Sequence, residues 1–403
     1  MIAHNRTYQK ITHKNCQKLK KRMSNPTSQI IIEGDDEPPP LLDCQEPLGK
    51  SKTILTTTFT QIEDRIAKLK KKEIHLTSNE IAEIQEVSVH CPLRISNYYL
   101  SLIKEKNNPI WNQCIPNIKE ITDIRGDEDP LNEESPIPFL THRYPDRALL
   151  LVSNTCAMFC RFCTRKRKVG YDSKNPTMDN LKPALDYIKK HKEIRDIILS
   201  GGDPLMLKDK NIEWILQEIR NIDHIEIIRI GSRVPCVLPE RITPALCEIL
   251  KKYNTSPALY INTHFEHPDE ITPSAKKACE MITDVGIPLG NQSIVLKGIN
   301  DNPKTYFELN QKLLAIKVRP YYIYQADLVK GTYHFIAPIQ TGLDIIQGLR
   351  GHTSGLAVPQ FVIDAPGGGG KNPLIPEYVH INEDKSTIIT NYQGKQFNYP
   401  KIE

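Results

Sequence analysis

The feature that most constrains the fold of this chain is a regular alternation of short β-branched runs with helical patterns after residue 148. Each run has the length of a strand, and the helical patterns open with Pro, Thr, Ser or Asp near the first turn. The predicted strands are 148–152, 196–199, 225–230, 259–262, 287–296 and 318–324, and the predicted helices are 179–190, 209–221, 244–253, 273–285 and 303–316. Strand alternating with helix predicts a parallel sheet with right-handed crossovers, closed or partly closed into a barrel.

The composition is that of a soluble globular protein. Apolar residues make up 39% of the 403 and charged residues 25%, enough to bury a sizeable core. No stretch approaches the roughly 20 apolar residues of a membrane helix, and the N-terminus lacks the apolar segment of a secretory signal. The ten cysteines are scattered along a chain too long for a disulfide-stapled mini-fold. We therefore expect a cytoplasmic protein in a reducing compartment.

The net charge of +5 is concentrated at one end of the chain. Residues 1–23 hold seven Lys and Arg and no acid, so the remainder is close to neutral and nucleic-acid binding is a minor possibility. Residues 24–52 include an acidic stretch that ends in three prolines, a composition too polar to bury a core. We expect residues 1–52 to be a disordered head and linker, with translation beginning at Met1 or at Met23.

Helical patterns dominate the region that follows. One covers 59–72, and a second begins where Thr77 or Ser78 can cap a helix that carries Glu80 in its next turn. We expect a helical N-terminal region over 53–135, a barrel core over 136–363 and a C-terminal segment over 364–403. No internal repeat is visible beyond the strand-and-helix period.

Three cysteines, Cys156, Cys160 and Cys163, come directly after the first predicted strand. Three thiolates leave an iron–sulfur cubane with one iron free for a small molecule. A structural zinc site needs four ligands, usually as paired C-x2-C units, and the sequence has no second pair. The spacing, with Phe162 before the last cysteine, resembles the radical S-adenosylmethionine enzymes. That resemblance implies an α/β fold with a partial (β/α)6 TIM-like barrel, a [4Fe-4S] cluster and S-adenosyl-L-methionine.

The second predicted strand ends in Gly201, Gly202 and Asp203, at the edge where barrel enzymes place their active sites. Two glycines let the backbone approach a ligand, and Asp203 can accept from an ammonium group. After a cysteine loop, this turn resembles the one that grips the amino group of S-adenosylmethionine. The fourth strand is followed by His264 and His267, which we expect to be hydrogen-bonding residues, because no carboxylate or third histidine stands at matching spacing for a metal.

Four glycines, 367–370, come immediately before Lys371. They do not form a Walker phosphate loop, because the first required glycine falls at Ala365 and the residue after the lysine is Asn372. Such a run presents a single amine, as a lysine that forms a Schiff base with pyridoxal phosphate needs, although an isolated match favours a surface turn. Upstream, Arg143 and Arg147 offer two guanidinium groups suited to a phosphate, or to surface salt bridges.

Five motifs in order resemble the lysine 2,3-aminomutase family. They are the segments 143–147, 156–163, 164–167, 200–205 and 364–371, and the resemblance covers about residues 95 to 380. It implies an isomerase that depends on pyridoxal 5'-phosphate and on a radical derived from S-adenosyl-L-methionine. Such an enzyme moves the amino group of L-lysine from C2 to C3 and gives L-β-lysine.

The resemblance also implies roles for individual residues. The cluster ligands match Cys156, Cys160 and Cys163; the cofactor lysine matches Lys371; the surroundings of the cofactor's phosphate match Arg143, Arg147 and Gln292; the binder of the substrate carboxylate matches Arg165; and the binders of the distal ammonium match Asp327 and Asp364. Two carboxylates in a closed cavity are costly unless a cation lies between them, which disfavours glutamate as substrate. Arginine or another amino acid stays an alternative, because a guanidinium also suits paired carboxylates.

The same resemblance implies an electron donor such as flavodoxin or ferredoxin, and a homo-oligomer. Clostridial members carry a cysteine cluster near the C-terminus that binds zinc, whereas the last cysteine here is Cys279, so we predict no such zinc. The product could serve lysine degradation, an osmolyte, an antibiotic or the modification of a translation factor. A radical enzyme of another type would need only the cysteine loop, and a zinc-binding interaction protein would need neither cofactor.

Overall fold

The computed structural model describes residues 52–170, 176–255 and 258–399. The prediction of a disordered head and linker falls on residues outside this range, apart from residue 52. The other predicted domain boundaries are not tested by the structure and stay predictions. Across the described residues, no helix is both long and apolar enough to cross a membrane.

Helices come first in the described chain. They are α1 (Lys52–Lys71), α2 (Ser78–His90), α3 (Asn97–Ser101), α4 (Pro109–Cys114) and α5 (Lys119–Thr122). The predicted cap of α2 is confirmed: the Thr77 hydroxyl accepts from the Glu80 amide, and the Glu80 carboxylate accepts from the Thr77 amide at 2.7 Å. This reciprocal pair satisfies two amides that the first turn leaves without partners.

A nine-stranded sheet follows, with its strands in sequence order. The strands are β1 (Leu140–Tyr144), β2 (Arg147–Ser153), β3 (Asp196–Gly201), β4 (Ile227–Gly231), β5 (Ala258–Thr263), β6 (Leu289–Val295), β7 (Val318–Gln325), β8 (Gln360–Ala365) and β9 (Gly370–Leu374). Strands β2 to β8 are parallel to one another, while β1 and β9 pair antiparallel at the two edges.

The predicted partial (β/α)6 barrel is confirmed. Helices connect the parallel strands: α6 (Met178–Lys190), α7 (Asp209–Arg220), the short α8 (Val234–Val237), α9 (Pro244–Lys252), α10 (Pro273–Asp284), α11 (Pro303–Ala315) and α12 (Ile339–Leu349). Every strand from β1 to β9 contributes to the lining of one cavity, so the sheet curves around it. The five predicted helices end within about one residue of the observed ones, and Thr or Asn side chains cap the first turns of four of them.

The core lies between the sheet and the surrounding helices. Alternate residues of the parallel strands, such as Ile197 and Leu199 on β3 or Ile228 and Ile230 on β4, are buried among apolar helix side chains. The intervening residues face the cavity, which is the pattern expected for strands whose two faces meet different surroundings.

The sequence patterns missed both edge strands, the seventh parallel strand β8 and helix α12. Strand β1 ends in Tyr144-Pro145, and β9 follows a glycine run, so neither has the β-branched enrichment that predicts a strand. The chain then forms a separate antiparallel sheet of β10 (Val379–Ile381), β11 (Thr387–Thr390) and β12 (Gln396–Tyr399).

Candidate active site

A cavity of about 820 Å³ runs along the inner face of the sheet and reaches the loops after the carboxyl ends of the strands. Seven of the predicted site residues line it, namely Arg143, Arg147, Arg165, Gln292, Asp327, Asp364 and Lys371. They come from segments up to more than 220 residues apart in the chain, which the barrel brings to one cavity. The three cysteines, Gly201, Gly202 and Asp203 lie outside this lining.

Lys371 projects its amine next to Asp364. The two residues stand opposite each other in the β8–β9 ladder, and Lys371 Nζ donates to both carboxylate oxygens of Asp364 at 3.1 and 3.3 Å. The amine also lies 5.2 Å from the centre of the Tyr324 ring. Because the lysine side chain keeps 37% of its surface exposed and the Asp364 side chain only 6%, the amine is the accessible partner.

The glycines before Lys371 are required by the shape of the turn. Gly367, Gly368 and Gly370 have φ values of 69°, 89° and 82°, a region that residues with a side chain adopt at a cost. A Cβ on Gly370 would lie 3.0 Å from the Tyr144 hydroxyl, and that hydroxyl accepts the Lys371 amide at 3.0 Å. The turn therefore holds β9 against β1 and aims one amine into the cavity.

Arg143 and Arg147 line the same cavity. Arg143 donates to the Leu131 carbonyl, and Arg147 stacks over the Tyr144 ring at 3.9 Å while it pairs with Asp146 at 3.0 Å. The Arg147 pair is about 40% exposed, so it is weak and its guanidinium can turn to a stronger anion. This donor set, with Lys371 nearby, fits a phosphorylated cofactor bound through an amine.

Arg165 engages a carboxylate that sequence reasoning missed. Its Nε and Nη2 donate to Glu133 at 2.9 and 2.6 Å, and Nη1 faces the Ser200 hydroxyl at 3.4 Å. Burial would raise the pKa of Glu133, but the Arg165 guanidinium holds it below its usual value. The Nη1 edge of the guanidinium is the part left for another anion. Only the position of Glu133 before a predicted strand could have suggested it.

Asp327 differs from the other acids of the cavity. Glu133, Asp196 and Asp364 each pair with a cation, Asp196 with Arg229 at 2.9 Å, whereas Asp327 has no ion pair among the described residues. Burial, together with the neighbouring Asp364, raises the pKa of Asp327 to about 7. A cation placed beside Asp327 would therefore relieve an unfavourable charge.

The cysteine loop follows β2 and is fastened from the N-terminal helices. The buried Arg161 guanidinium donates to Glu120 at 2.8 and 2.5 Å, and Lys166 reaches the same carboxylate at 2.8 Å. The loop amides of Phe159 and Arg161 donate to carbonyls of the residues before α3 and within α4. A short loop between buried fixed points holds its three thiols in place.

The three thiols are free and stand near one another. Burial raises the pKa of Cys156 well above its ordinary value, and Asp203 and the other two cysteines add to the effect. Iron binding reverses this preference, because a coordinated thiol loses its proton. Among the described residues, no group of three His, Cys, Asp or Glu side chains could hold a single metal ion, and a cubane of four irons is larger than such an ion.

A buried arginine stands against the second cysteine. Arg233 Nη1 donates to Cys160 Sγ at 2.8 Å, Nε donates to the His264 carbonyl at 3.0 Å, and Nη2 donates to Glu270 at 2.9 Å. A guanidinium that donates to a sulfur stabilises negative charge on that sulfur. This agrees with a cysteine that ligates a cluster as a thiolate. The position of Arg233 after the third predicted strand was its only signal in the sequence.

Asp203 is held by hydrogen bonds to the residues after β4, and its predicted contact with an ammonium group is not tested by the structure and stays a prediction. Its carboxylate accepts from the Ser232 hydroxyl at 2.7 Å and from the amides of Leu205, Arg233 and Val234, which fills its four acceptor sites. Burial nevertheless raises the pKa of Asp203 to about 6. The structure makes it a residue that joins the ends of β3 and β4.

Gly201 and Gly202 are needed for packing within the chain. Gly201 has a φ of 112°, and a Cβ on Gly202 would lie 2.6 Å from the Thr155 carbonyl oxygen. The close approach of the cysteine-loop backbone is thus one reason for glycine at both positions, and their predicted role in cofactor binding stays a prediction. Ser200, Asn262 and His264 are the polar residues near these strand ends that line the cavity.

The two histidines differ in their surroundings. His264 stacks on Phe162 with ring centres 6.0 Å apart, and it also lines the cavity. His267 Nδ1 accepts from the Asp269 amide at 3.2 Å and begins a short 3-10 helix. The expected hydrogen-bonding role of His267 is confirmed.

Comparison with known proteins agrees with this geometry. A family model described as lysine-2,3-aminomutase matches residues 346–403, and one described as the radical SAM superfamily matches residues 150–309. L-lysine 2,3-aminomutase of Fusobacterium nucleatum is 48% identical over 85% of this chain and 82% of its own length. The enzyme of the same name from Methanococcus maripaludis is 51% identical over 80% of this chain and 75% of its own length. Glutamate 2,3-aminomutase of Clostridioides difficile is 43% identical over 87% of this chain and 82% of its own length.

The chain belongs to the lysine 2,3-aminomutase family. It is thus a radical S-adenosylmethionine enzyme, and the predicted isomerase class is confirmed. The cofactors that go with the family are a [4Fe-4S] cluster, S-adenosyl-L-methionine and pyridoxal 5'-phosphate. The sulfur donors of the cysteine loop and the amine and guanidinium groups of the cavity fit these groups.

Proposed function

We propose that this protein converts L-lysine to L-β-lysine by moving the amino group from C2 to C3. The observation that carries the proposal is the polarity of the cavity. Asp327 and Asp364 lie beside Lys371, while Arg165 belongs to the same lining and interacts electrostatically with Asp327. A substrate with a carboxylate at one end and an ammonium at the other fits such a distribution.

The chain's own residues would hold each cofactor. Cys156, Cys160 and Cys163 would ligate the cluster, Lys371 would bind pyridoxal phosphate through its amine, and Arg143, Arg147 and Gln292 would surround the phosphate. When bound, the cluster and S-adenosylmethionine supply a radical that takes hydrogen from the substrate, and pyridoxal phosphate carries the migrating amino group.

The Lys371–Asp364 pair has a consequence for substrate binding. While the Lys371 amine is charged, it neutralises Asp364, and Asp327 is the acid left without an ion pair among the described residues. A Lys371 amine that binds pyridoxal phosphate would no longer be free to pair with Asp364, so Asp364 would also become available. Two carboxylates then face the same space, and the ε-ammonium of lysine would neutralise them.

The same arrangement disfavours glutamate. A distal carboxylate would meet Asp327 and Asp364, and like charges in a partly buried site repel strongly. Arginine is the second candidate, since its guanidinium also suits paired carboxylates. It differs from lysine in length and planarity, so turnover of the two amino acids distinguishes them.

The residues around the cavity also limit water. Tyr321, Tyr322 and Tyr324 come from one strand and stack along one wall, with ring centres 4.0 and 5.6 Å apart. Aromatic walls leave few hydrogen-bonding partners for water, and a radical is protected from side reactions in such a site. We expect these side chains to exclude water from the reacting atoms.

The experiment compares amino acids with the reconstituted, anaerobic enzyme. L-lysine should give L-β-lysine, glutamate should be inert, and Asp327→Asn and Asp364→Asn should reduce lysine turnover severely while cofactor loading persists. Lys251→Gln, a change on the outer helix α9, is the matched control. A kcat/KM for arginine well above that for lysine, or wild-type turnover in either Asn variant, would contradict lysine as the substrate.

Lys371 is tested separately by chemistry. Borohydride reduction should fix pyridoxal phosphate on the peptide that contains Lys371, and Lys371→Ala should abolish this labelling. Labelling found on another lysine would refute the role of Lys371. The cysteine loop and its spectrum are unaffected by this substitution, so absorption by the cluster serves as the internal control.

We also propose a homo-oligomer in which the C-terminal sheet takes part. Val379 and Phe397 share one face of the β10–β12 sheet with Ile381 and Tyr399, and each of the four is at least half exposed. Such a contiguous apolar face is typical of an interface. Ile381→Ser together with Phe397→Ser should lower the molar mass measured by light scattering; an unchanged mass would contradict the proposal.

A reducing compartment, such as the cytoplasm, suits the eight free cysteines of the described chain.

A further inference from the structure

A second cavity, of about 720 Å³, lies outside the active site. Its lining comes from three segments, the end of α5 with the residues after it, Lys297 after β6, and residues 333–336 after β7. It shares no lining residue with the active-site cavity.

The wall of this cavity leads directly to the cysteine loop. His334 and Ile336 line it, and Phe335 between them packs edge-on against Phe162 with ring centres 6.0 Å apart. Phe162 is the residue before Cys163, and its apolar group also packs against Cys160. One layer of aromatic side chains therefore separates the cavity from two cluster ligands.

The rim of this cavity is positively charged. Lys119 and Lys297 are exposed and form no ion pair within the described chain. Arg125 stacks over Tyr333 at 3.6 Å and pairs with Asp123, the single acid of the lining, at 2.6 Å. The two lysines thus leave a net positive charge.

The remaining groups at the cavity do not cancel that charge. The exposed Glu128 is not part of the lining and faces Lys330 at 3.7 Å. Burial lowers the pKa of His334 to about 4, so its ring is neutral near pH 7. Ile124 on the rim is 75% exposed, which gives the basic rim an apolar contact.

Within the described chain, buried ion pairs cover two other sides of the cysteine loop. On the side of the N-terminal helices, Arg161 and Glu120 are almost fully buried. On another side, Arg233 contacts Cys160 and is buried in an ion pair with Glu270. The active-site cavity must hold substrate and exclude water, so a large reductant cannot enter there.

We propose that this second cavity is the docking surface for an acidic one-electron donor protein of the flavodoxin or ferredoxin class. The inference rests on the proposed function, since it needs a cluster on Cys156, Cys160 and Cys163. In the step, the reduced donor loses one electron, the cluster gains it and passes from the 2+ to the 1+ state, and no bond or proton moves. Basic rims around an apolar centre steer acidic partners and hold them at short range.

The test compares two reductants on the reconstituted full chain. An acidic flavodoxin, reduced beforehand, is mixed with the enzyme under low salt, and cluster reduction is followed by stopped-flow absorption. Dithionite-driven cleavage of S-adenosylmethionine is measured in parallel, because that small reductant needs no docking surface. The variant is Lys119→Glu with Lys297→Glu, and the matched control is Lys251→Glu with Lys277→Glu, two exposed lysines of α9 and α10.

We expect the rim variant to lose about tenfold or more in the flavodoxin reduction rate and to keep wild-type dithionite cleavage. The control pair should reduce at the wild-type rate. Equal loss in both pairs, or no loss in the rim variant, overturns the docking surface.

Two further outcomes are decisive. If the wild type fails to cleave S-adenosylmethionine even with dithionite, the proposed function itself fails and the docking proposal falls with it. If the rim variant cannot be loaded with iron, the salt dependence of the wild-type enzyme provides the test. The rate at which flavodoxin reduces its cluster must fall several-fold between about 50 and 300 mM salt, since salt screens steering by exposed charges. A rate that is independent of salt overturns the proposal.

Discussion

Two groups of ion pairs surround the cofactor region, and they differ in how far they are sealed from solvent. Behind the cysteine loop, the side chains of Arg161 and Glu120 are 2% and 0% exposed. At the rim of the cavity, the Lys371 side chain is 37% exposed and its Asp364 partner 6%. The sealed pair is also the shorter of the two, at 2.5 Å against 3.1 Å, so the two pairs differ in contact as well as in burial.

The difference indicates two tasks. A sealed pair cannot exchange partners without leaving a charge unpaired in a medium of low polarity, which is costly. A pair at the cavity can release one partner to a ligand, since water and the ligand can compensate the charge. The pairs behind the loop therefore fix the cysteines, and the pairs in the cavity are the ones that a charged substrate or cofactor can rearrange.

The largest expected effect concerns the sealed loop itself. Cys160→Ala should reduce dithionite-driven cleavage of S-adenosylmethionine to background, because two remaining thiols cannot hold the cubane with one free iron. Circular dichroism should show an intact fold. Cys279→Ala, a buried cysteine of α10, is the matched control and should retain cleavage. Cleavage that persists in Cys160→Ala would refute the cluster assignment.

Breaking a sealed pair should cost more stability than breaking a cavity pair. Glu120→Ala leaves Arg161 and Lys166 without their common carboxylate, so we expect a loss of about 3–5 kcal/mol in the free energy of unfolding. The comparison variant is Glu133→Ala, whose partner Arg165 is 20% exposed, with an expected loss of about 1–2 kcal/mol. Denaturant unfolding measures both. Equal losses would remove the distinction between the two groups.

Because Asp327 has no ion pair among the described residues, we expect substrate binding to depend on pH. With the pKa of Asp327 raised to about 7, the carboxylate is mostly protonated at pH 6 and mostly ionised at pH 8. Lysine affinity should therefore rise as pH rises through 7, with KM roughly tenfold higher at pH 6 than at pH 8. Asp327→Asn should flatten this profile. A slope of the same size in the Asn variant would assign the titration to another group.

The smallest expected effect is a shift in the reduction potential of the cluster. Arg233→Lys keeps the charge opposite Glu270 but loses the planar donor to Cys160, so the potential should become more negative. A shift of about 60 mV in the potential changes the equilibrium constant of a one-electron transfer tenfold. A redox titration followed by electron paramagnetic resonance measures it. Arg229→Lys, which pairs with Asp196 and contacts no sulfur, should leave the potential unchanged.

The comparison also shows which site residues sequence reasoning could reach. Lys371 and the three cysteines stand in local motifs, so a short stretch of chain was enough to identify them. Glu133 and Arg233 have no motif of their own, and they enter the site only because the barrel closes over them. Asp203 stood in a recognisable turn, whereas its hydrogen bonds with Ser232 and Arg233, directly after β4, were apparent only in the structure.

The fold divides in the same way. Strands β3 to β7 and the helices between them follow from periodicity and capping residues, which are local properties. Strands β1 and β9 carry weak local signals, and it is their pairing with β2 and β8 that makes them strands.

By itself, the sequence determined the alternating fold and located the cysteine loop and the candidate cofactor lysine, because each depends on residue type and short spacing. The charged residues of the cavity were named only through the resemblance to the family. Only the tertiary structure decided which charges meet. It joined Asp364 to Lys371 and left Asp327 without an ion pair, and it buried Arg161 with Glu120 behind the loop. The physical reason is that pairing and burial depend on distances across the barrel, which no local pattern specifies.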